Sequence, residues 1–292
     1  MKVYILYNPL AGNGTAAESA KTLAATYTCE TVQLPITEIT DYQSFLAPLT
    51  AEDQIVLCGG DGTLNRFVNA TDGLTIRCDI AYLAVGTGND FLHDLGKESN
   101  DKPFSVKKYL TDLPVVEVKG KKYRFLNNVG FGIDGYCCEV GDKLKAKSDK
   151  AVNYTAIAIK GLLFHHKPSI AKITVDGKEY SYKKVWLAAS MKGRYYGGGM
   201  KSAPDQDRMS ENGEVTLVVW HGSGKLRTLM RFPSIFKGEH VKYEKMIALH
   251  RGKDITVTFN IPTAVQIDGE TVLDVTTYRV AAGKTAPVLE TV

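Results

Sequence analysis

The sequence of 292 residues lacks several features that define other protein classes. Its five cysteines are an odd number without metal-ligand spacing, which argues against a disulfide framework and favours a reducing compartment. No run reaches the roughly 20 apolar residues needed to span a bilayer, and the N-terminus lacks a secretory signal pattern. The G-x-x-x-x-G-K-S/T signature is also absent, which excludes a P-loop enzyme. We therefore expect a cytoplasmic protein, peripheral to the membrane at most.

The composition is that of a turn-rich globular protein. Hydrophobic residues make up 44% and charged residues 23% of the chain, with 27 glycines and a net charge of +4. The length favours two domains. The mild charge neither demands nor excludes an anionic partner, and we expect no nucleic acid. Four lysines are concentrated in one stretch that we interpret as a solvated helix face: Lys143, Lys145, Lys147 and Lys150.

Residues 1–115 repeat one unit, in which an apolar run is followed by a glycine-rich turn and a helical pattern. The runs are VYILYNP, IVLCGG and IAYLAVG. This order predicts an α/β domain with a Rossmann-like parallel sheet and crossover helices. Because ligands bind beyond the carboxyl ends of parallel strands, we expect the three turns to converge on one site.

Residues 116–292 change to short alternating stretches with hairpin turns, which predicts an antiparallel β-sandwich domain. Asp176-Gly177 and Asp268-Gly269 are typical of tight hairpins. One helical stretch is predicted from about residue 141 to 165, and we expect its apolar residues to pack on the sheets. These are Ile157, Ile159, Leu162, Leu163 and Phe164. The pattern leaves open whether the last residues of the chain return to the N-terminal domain.

The turn from Gly59 to Thr63 is the most specific motif. Its glycines let the backbone approach a ligand, and the amides of the helix that follows would face an anion. Asp61 would repel a bare phosphate, so the turn indicates a nucleotide with a bridging cation such as Mg²⁺. The turn from Gly86 to Asp90 lies one unit later and also ends in a carboxylate, although Asp90 alone would fit a helix N-cap.

Other motifs are less specific. Residues 12–17 fit the G-x-G-x-x-A dinucleotide fingerprint, but the next strand ends in Leu34-Pro35 without the acidic residue that holds a ribose. We interpret residues 8–14 as a phosphate- or ribose-facing turn, with a plain surface turn as the alternative. Spacing does not show which Asp-Gly turn is catalytic, although Asp268 and Glu270 form a closer acidic pair suited to proton abstraction.

Together these motifs resemble the diacylglycerol kinase catalytic-domain family, which includes sphingosine and ceramide kinases. The matching segments are Asn8-Pro9 with Gly12-Asn13-Gly14, GGDGTLN at 59–65, GTGNDF at 86–91 and DGE at 268–270. NAD kinases and phosphofructokinases share GGDGT, whereas the first and third segments favour the lipid-kinase branch. The resemblance implies an α/β nucleotide domain, a β-sandwich domain, and phosphate transfer from ATP to a lipid hydroxyl in the cleft between them.

The resemblance also implies roles for individual residues. The nucleotide would be bound by Asn8, Pro9, Gly12, Asn13, Gly14, Thr37, Gly59, Gly60, Asp61, Gly62, Thr63, Leu64, Asn65, Gly86, Thr87 and Asn89. A network of Mg²⁺ and water would involve Asp61, Asp90 and Asp134, and Asp268 or Glu270 would be the catalytic base. A structural metal loop of the family corresponds to residues 203–214, with Met209, Asn212 and Glu214 as the ligand positions.

Three residues depart from the family pattern. Arg66 replaces the usual glutamate after GGDGTxN, His93 stands where another basic residue is common, and Asn212 replaces an aspartate of the structural loop. We expect an ATP- and Mg²⁺-dependent kinase that phosphorylates diacylglycerol or a related lipid. The protein would contact the membrane surface peripherally, and the sequence leaves open whether it forms a homodimer. An NAD kinase is the alternative enzyme. A degenerate member that binds nucleotide or lipid as a regulator is the alternative without catalysis.

Overall fold

The computed structural model describes residues 1–86, 89–99, 102–147, 152–283 and 288–289, with the side chains of Asn13 and of residues 288–289 left out. The chain divides into two compact units. The first contains Met1–Leu113 together with the described residues from Gly283 onward, and the second contains Pro114–Ala282. The division therefore falls at residue 113, and each unit is described separately below.

The first unit contains a five-stranded sheet. Its strands, with the short β4, are β1 (Lys2–Tyr7), β2 (Glu30–Pro35), β3 (Gln54–Gly59), β4 (Thr75–Ile76), β5 (Asp79–Ala84) and β6 (Phe104–Ser105). The order in the sheet is β2-β1-β3-β5-β6, in which β6 alone is antiparallel to its neighbour. The predicted α/β fold with parallel strands is confirmed.

Helices connect these strands. They are α1 (Ala16–Ala24), α2 (Tyr42–Leu46), α3 (Asp61–Ala70) and α4 (Asp90–Asp94), with 3-10 turns at Ala11–Gly14 and Lys107–Tyr109. The buried residues of α1 and α3 recur at helical spacing, so each helix has one apolar face. The face of α1, with Ala20 and Leu23, packs on Val3 and Ile5 of β1 and on Val56 of β3.

The second unit is built from antiparallel strands. They are β7 (Val115–Val118), β8 (Lys121–Arg124), β9 (Asn128–Gly132), β10 (Ser169–Val175), β11 (Lys178–Val185), β12 (Leu187–Met191), β13 (Tyr195–Tyr196), β14 (Met200–Lys201), β15 (Val215–Trp220), β16 (Ile247–Gly252), β17 (Asp254–Ile267) and β18 (Glu270–Ala281). The main path is β16-β15-β12-β9-β17-β18-β7-β8, and β10 joins β17 to β11. The ladder between β17 and β18 shifts register between Thr258 and Thr263. The predicted antiparallel sandwich is confirmed.

Both Asp-Gly hairpins have the predicted geometry. The backbone has positive φ at both residues of each turn, 48° and 81° at Asp176-Gly177 and 46° and 93° at Asp268-Gly269. Two successive positive φ values define a type I′ turn, whose twist matches that of the flanking strands. The first turn joins β10 to β11, and the second joins β17 to β18.

The helices of the second unit differ from the prediction of one stretch over 141–165. The structure has α5 (Ile133–Lys145), α6 (Tyr154–Lys160), a π-helical turn (Gly161–His165), α7 (Lys225–Arg231) and 3-10 turns at Phe232–Lys237 and Glu239–Lys242. Helix α5 begins directly after Gly132, whose φ of 92° ends β9. A Cβ on Gly135 would lie 1.9 Å from the Ala264 carbonyl oxygen, so glycine lets α5 lie directly on β17.

The apolar residues of this helical region divide into two groups. Ile157 and Leu162 are buried as predicted, whereas Ile159 is 41% and Phe164 71% exposed, against the expectation that all pack on the sheets. Leu163 is half-buried. Among the described residues, the structure contains no helix with both the length and the apolar character needed to cross a bilayer.

Candidate phosphate-binding site

The predicted site lies where β1 and β3 end in the first unit. β1 is bordered by β2 on one side and β3 on the other, so the chain leaves the sheet in opposite directions from these strands. This is the topological switch point at which open α/β sheets bind ligands. The turns that follow β1, β3 and β5 begin with Asn8, Gly60 and Val85 respectively.

The turn after β3 is tightly folded around its glycines. A Cβ on Gly59 would lie 2.0 Å from the Thr63 hydroxyl, so the Thr63 side chain requires glycine at position 59. The Thr63 hydroxyl is buried and has no hydrogen-bond partner in the described part of the chain. Gly60 is the N-cap of α3 in extended conformation, which places Asp61 in the first turn of the helix. The first amides of α3 form the partial positive charge to which anions bind.

Asp61 connects this turn with the turn after β5. Its Oδ2 accepts a hydrogen bond of 3.1 Å from the amide of Phe91, the second residue of α4. Asp90, the first residue of α4, is 6% exposed. The two first turns are therefore in contact, and the structure brings Asp61 and the segment that carries Asp90 together as the sequence predicts.

The third turn approaches the backbone of the second. A Cβ on Gly86 would lie 2.7 Å from the Cα of Gly60, so the two turns pack at a distance that excludes a side chain. Asn89 donates from Nδ2 to the Gly86 carbonyl at 2.8 Å, and its buried Oδ1 has no hydrogen-bond partner among the residues that the structure describes. Thr87, predicted to contact the nucleotide, lies outside the described residues.

The first turn is held by local hydrogen bonds. Asn8 accepts from the Leu10 amide at 3.1 Å, which is an Asx turn, and its own amide donates to the Cys58 carbonyl at 3.2 Å. Gly12 has a φ of 59°, and a Cβ there would lie 2.4 Å from the carbonyl oxygen of Val85. Thr37 is exposed two residues after β2 ends. All three glycine turns therefore meet at one edge of the sheet.

The remaining residues of the GGDGTLN segment differ in what they can contact. Leu64 is fully buried in the core, so only its backbone can contribute to a ligand site. Asn65 accepts a hydrogen bond from Asn69 one helical turn later, at 3.2 Å. Arg66 and His93 are exposed. Burial raises the pKa of Tyr42 of α2 to about 12, and the Arg66 guanidinium acts in the opposite direction, so Arg66 lies on the α2 side of α3.

The carboxylates of this site have the chemistry that Mg²⁺ takes in proteins. Magnesium is usually held by one or two carboxylates and by substrate phosphates rather than by a complete protein cage. Among the described residues, no group of three or more His, Cys, Asp and Glu side chains forms such a cage. Asp61 and Asp90, in the adjoining first turns of α3 and α4, fit the arrangement of one or two carboxylates with substrate phosphates.

Asp134, the third predicted metal residue, lies in the second unit on the first turn of α5. Its carboxyl is 6% exposed and accepts a hydrogen bond of 2.7 Å from the Tyr196 hydroxyl through Oδ1. Burial raises the pKa of Asp134 to about 7, while the hydrogen bond from Tyr196 acts in the opposite direction. Oδ2 lies beside Gly130 and is buried, with no hydrogen-bond partner among the described residues.

The two acids of the DGE segment are in different environments. Asp268 accepts three backbone amides, from Leu126 at 2.5 Å on Oδ2 and from Asn127 and Asn128 at 2.8 and 3.0 Å on Oδ1. Glu270 is exposed, at the start of β18. Three amide donors fix the orientation of the Asp268 carboxylate against the end of β8 and the start of β9.

Arg208, which the sequence reasoning missed, completes this arrangement. It is 5% exposed and donates to the Leu126 carbonyl at 2.5 Å and to Asn127 Oδ1 at 2.8 Å. In the segment at 126–128, the backbone amides donate to Asp268, and the Leu126 carbonyl and the Asn127 side chain accept from Arg208. The separations along the chain, 142 residues for Leu126 and Asp268, leave no local sequence signal.

The predicted structural metal loop is ordered by side-chain hydrogen bonds. Gln206 donates to the Glu214 carbonyl at 2.9 Å and accepts from the Thr216 hydroxyl at 2.5 Å. Met209 and Asn212 are exposed on the loop. The ligand role assigned to Met209, Asn212 and Glu214 stays a prediction.

The chain is a two-unit protein with a glycine-rich strand-to-helix turn at the switch point of a parallel sheet. Residues 2–113 match the diacylglycerol kinase catalytic domain, and residues 127–286 match the YegS C-terminal NAD kinase beta sandwich-like domain. The chain therefore belongs to the diacylglycerol kinase catalytic-domain family, and it is an enzyme of the lipid-kinase class.

Individual relatives are similar over most of their length. A diacylglycerol kinase of Mycobacterium tuberculosis is 25% identical over 268 residues, covering 88% of this chain and 84% of the relative. A diacylglycerol kinase of Bacillus subtilis is 25% identical over 231 residues, covering 77% and 73%. The crystal structure of a diacylglycerol kinase from Bacillus anthracis has a TM-score of 0.65 at 24% identity and covers 96% of this chain and 93% of its own, a likeness in fold.

Proposed function

We propose that this protein transfers the γ-phosphate of ATP, with Mg²⁺, to a hydroxyl group of diacylglycerol or a related lipid. The observation that carries the proposal is that three glycine turns meet at one edge of the sheet, with Asp61 in the first turn of α3. Helix amides attract phosphate oxygens, and a carboxylate at the same place is accommodated when a cation lies between the two. The family assignment supports a lipid as acceptor.

The residues of the first unit would bind and orient ATP. The amides at the start of α3 would hold phosphate oxygens. Glycine at positions 59 and 86 leaves room for the Thr63 side chain and for the Gly60 backbone, which keeps the turns close together. Asp61 and Asp90 would hold Mg²⁺, which in such sites neutralises charge that develops on the transferred phosphoryl group. Asn8 and Thr37, at the ends of the neighbouring strands, would border the nucleotide.

In the second unit, an acid of the DGE segment would act as the general base. It would accept the proton of the lipid hydroxyl while the hydroxyl oxygen forms a bond to the γ-phosphorus and the bond to the leaving ADP oxygen breaks. Glu270 is exposed and can meet a substrate. Asp268 is held in one orientation by three amides, which supports a positioned base. Both acids stay candidates.

The test is phosphorylation from radiolabelled ATP in three parallel reactions, with a lipid extract, with diacylglycerol in mixed micelles, and with NAD. We expect labelled phosphatidic acid with diacylglycerol, identified by mass, and no labelled NADP. Labelled NADP without labelled lipid would establish an NAD kinase instead. ATP binding without transfer to any acceptor would indicate the regulatory alternative and overturn the proposal.

A further inference from the structure

The helical layer of the second unit exposes large apolar side chains at its surface. Three of them are mostly solvent-exposed: Phe164 of the π-helical turn at 71%, and Leu226 and Met230 of α7 at 68% and 65%. Ile159 of α6 and Phe236 of the 3-10 turn after α7 add partly exposed surface, at 41% and 39%. We call these five side chains the helical patch. Contiguous exposed apolar surface of this kind marks an interaction site.

The residues of the helical patch are neighbours because α7 packs beside the π-helical turn. The Lys225 ammonium donates to the Leu163 carbonyl at 3.4 Å, which places the start of α7 next to the residue that precedes Phe164. Leu226 and Met230 are four residues apart and therefore share one face of α7. The patch is thus formed by four elements, in which the π-helical turn contacts both α6 and α7, and α7 contacts the 3-10 turn that follows it.

Buried residues of the same elements hold the patch in place. Leu162, Phe232 and Ile235 belong to a core cluster that also contains Trp186 and Trp220. The Trp186 indole donates to the Ser223 carbonyl at 2.9 Å, just before α7 begins. Because the inner face of the layer is packed and hydrogen-bonded, the outward apolar residues are a fixed feature of the folded unit.

The segments that carry the patch are basic, although Glu139 of α5 and Glu239 lie on elements that contact them. Residues 152–175 and 215–238 contain no aspartate or glutamate, whereas they contain seven basic residues. These are Lys160, Lys167, Lys172, Lys225, Arg227, Arg231 and Lys237. Arg231 donates to the Tyr243 hydroxyl at 3.1 Å, and Lys160, Lys167, Arg227 and Lys237 are exposed. Apolar side chains among basic residues are the composition of surfaces that insert into anionic lipid.

We propose that the helical patch is the surface with which this protein docks on an anionic lipid bilayer. The apolar side chains would enter the boundary between headgroups and acyl chains, and the surrounding ammonium and guanidinium groups would contact lipid phosphates. The choice of a bilayer as the occupant rests on this charge complementarity and on the proposed lipid substrate.

The lysine stretch at 143–150, which begins in the last turn of α5, is a weaker basis for membrane contact. Lys143 forms an ion pair with Glu139 at 2.5 Å, and Lys145 lies over the Tyr154 ring at 5.7 Å from its centroid. Lys150 lies outside the described residues. The partners of Lys143 and Lys145 belong to the same helical region, which agrees with a solvated helix face.

The experiment is cosedimentation of the full chain with vesicles of phosphatidylcholine and phosphatidylglycerol in a 3:1 ratio. We expect binding at low salt that weakens as salt is raised, and no comparable binding to pure phosphatidylcholine. Leu226→Gln with Met230→Gln keeps helix-forming residues while it removes apolar surface, and should weaken binding by at least about tenfold. Two double variants test the charge. Lys225→Gln combined with Arg227→Gln should weaken binding, whereas the control, Lys121→Gln combined with Lys122→Gln on β8, should not.

Wild-type protein that does not bind, or patch variants that bind like wild type, would overturn the proposal. Sedimentation equilibrium of the same variants measures the oligomeric state, and so tests whether a second copy of the chain covers the helical patch. A dimer that the Leu226 and Met230 changes dissociate, without a change in vesicle binding, would assign the patch to self-association instead. Phosphorylation of a short-chain diacylglycerol in detergent micelles reports on the proposed function separately. Vesicle binding by a protein without that activity would therefore refute the kinase function and leave the surface standing.

Discussion

Replacing Asp268 and Asp176 by asparagine should give different losses of stability, although both residues begin type I′ Asp-Gly turns. Asp268 uses both carboxylate oxygens, since Leu126 donates to Oδ2 while Asn127 and Asn128 donate to Oδ1. Asp176 receives two amides, from Lys253 and Asp254, on Oδ1 alone. An asparagine has one acceptor oxygen, so it can replace Asp176 in full but Asp268 only in part.

The magnitude follows from the donors that lose an acceptor. Asp268→Asn loses a hydrogen bond to a charged group and turns an amide NH₂ toward the Leu126 N–H, so the free energy of unfolding should fall by about 2–4 kcal/mol. Asp176→Asn keeps both donors paired at an exposed site, and its cost should stay below about 1 kcal/mol. The ratio between the two costs is the distinguishing quantity.

Urea unfolding followed by tryptophan fluorescence measures this difference. Both tryptophans of the chain, Trp186 and Trp220, are buried in the second unit, so the signal reports the unfolding of the unit that contains both turns. Equal unfolding free energies for the two variants would refute the three-amide arrangement around Asp268. Turnover is measured beside stability, and Glu270→Gln, at an exposed side chain, should lower kcat by roughly two to four orders of magnitude if Glu270 is the base.

Three further predictions follow from single residues. In Gly62→Ala the new Cβ would have no atom within 4 Å, so the change should stabilise α3 by up to about 1 kcal/mol in thermal unfolding. The same change should weaken ATP binding measured by calorimetry. An unchanged ATP affinity would exclude phosphates from this helix turn. Gly86→Ala, with its Cβ 2.7 Å from the Gly60 Cα, should cost about 1–3 kcal/mol and also lose ATP binding, whereas full stability would contradict the contact between the two turns. Burial lowers the pKa of His240 to about 4. Because the unfolded chain then binds the proton first, the unfolding free energy should fall as the pH drops from about 6.5 toward 4, by up to about 1.4 kcal/mol per unit. His240→Gln should reduce that slope in urea unfolding at pH 7 and pH 5, while His166, whose pKa burial also lowers to about 4, still contributes to it. Identical slopes would contradict a neutral buried imidazole at position 240.

The sequence predicts the parallel sheet and the hairpins because their signals are local. The three βα units are legible from apolar runs followed by glycine turns, and both Asp-Gly turns have the predicted geometry. Helix α5 begins at Ile133, earlier than the predicted start near residue 141, and it contains Gly135 and Gly141, which have low helix propensity. The need for Gly135 becomes clear only once β17 is known, since its missing Cβ lets the helix touch Ala264.

Long-range contacts are the part of the candidate site that the sequence could not predict. The hydrogen bonds between Asp61 and Phe91 span 30 residues, and those between Arg208 and Leu126 span 82. No periodicity or spacing connects such pairs. The exposure of Phe164 was missed for a related reason, because an apolar residue in a helical pattern predicts a buried face until the packing of α7 beside it is known.

The central claim is that Asp61, at the start of α3, serves phosphoryl transfer to a lipid. The most direct measurement is the initial rate of phosphate transfer from Mg·ATP to diacylglycerol in mixed micelles for wild type, Asp61→Asn and Glu18→Gln. Asparagine can still accept the Phe91 amide, so the fold should stay intact while the rate falls by at least about 100-fold. Glu18→Gln, in the first turn of α1, should keep the wild-type rate. A wild-type rate in Asp61→Asn, or a loss of equal size in both variants, would contradict the account.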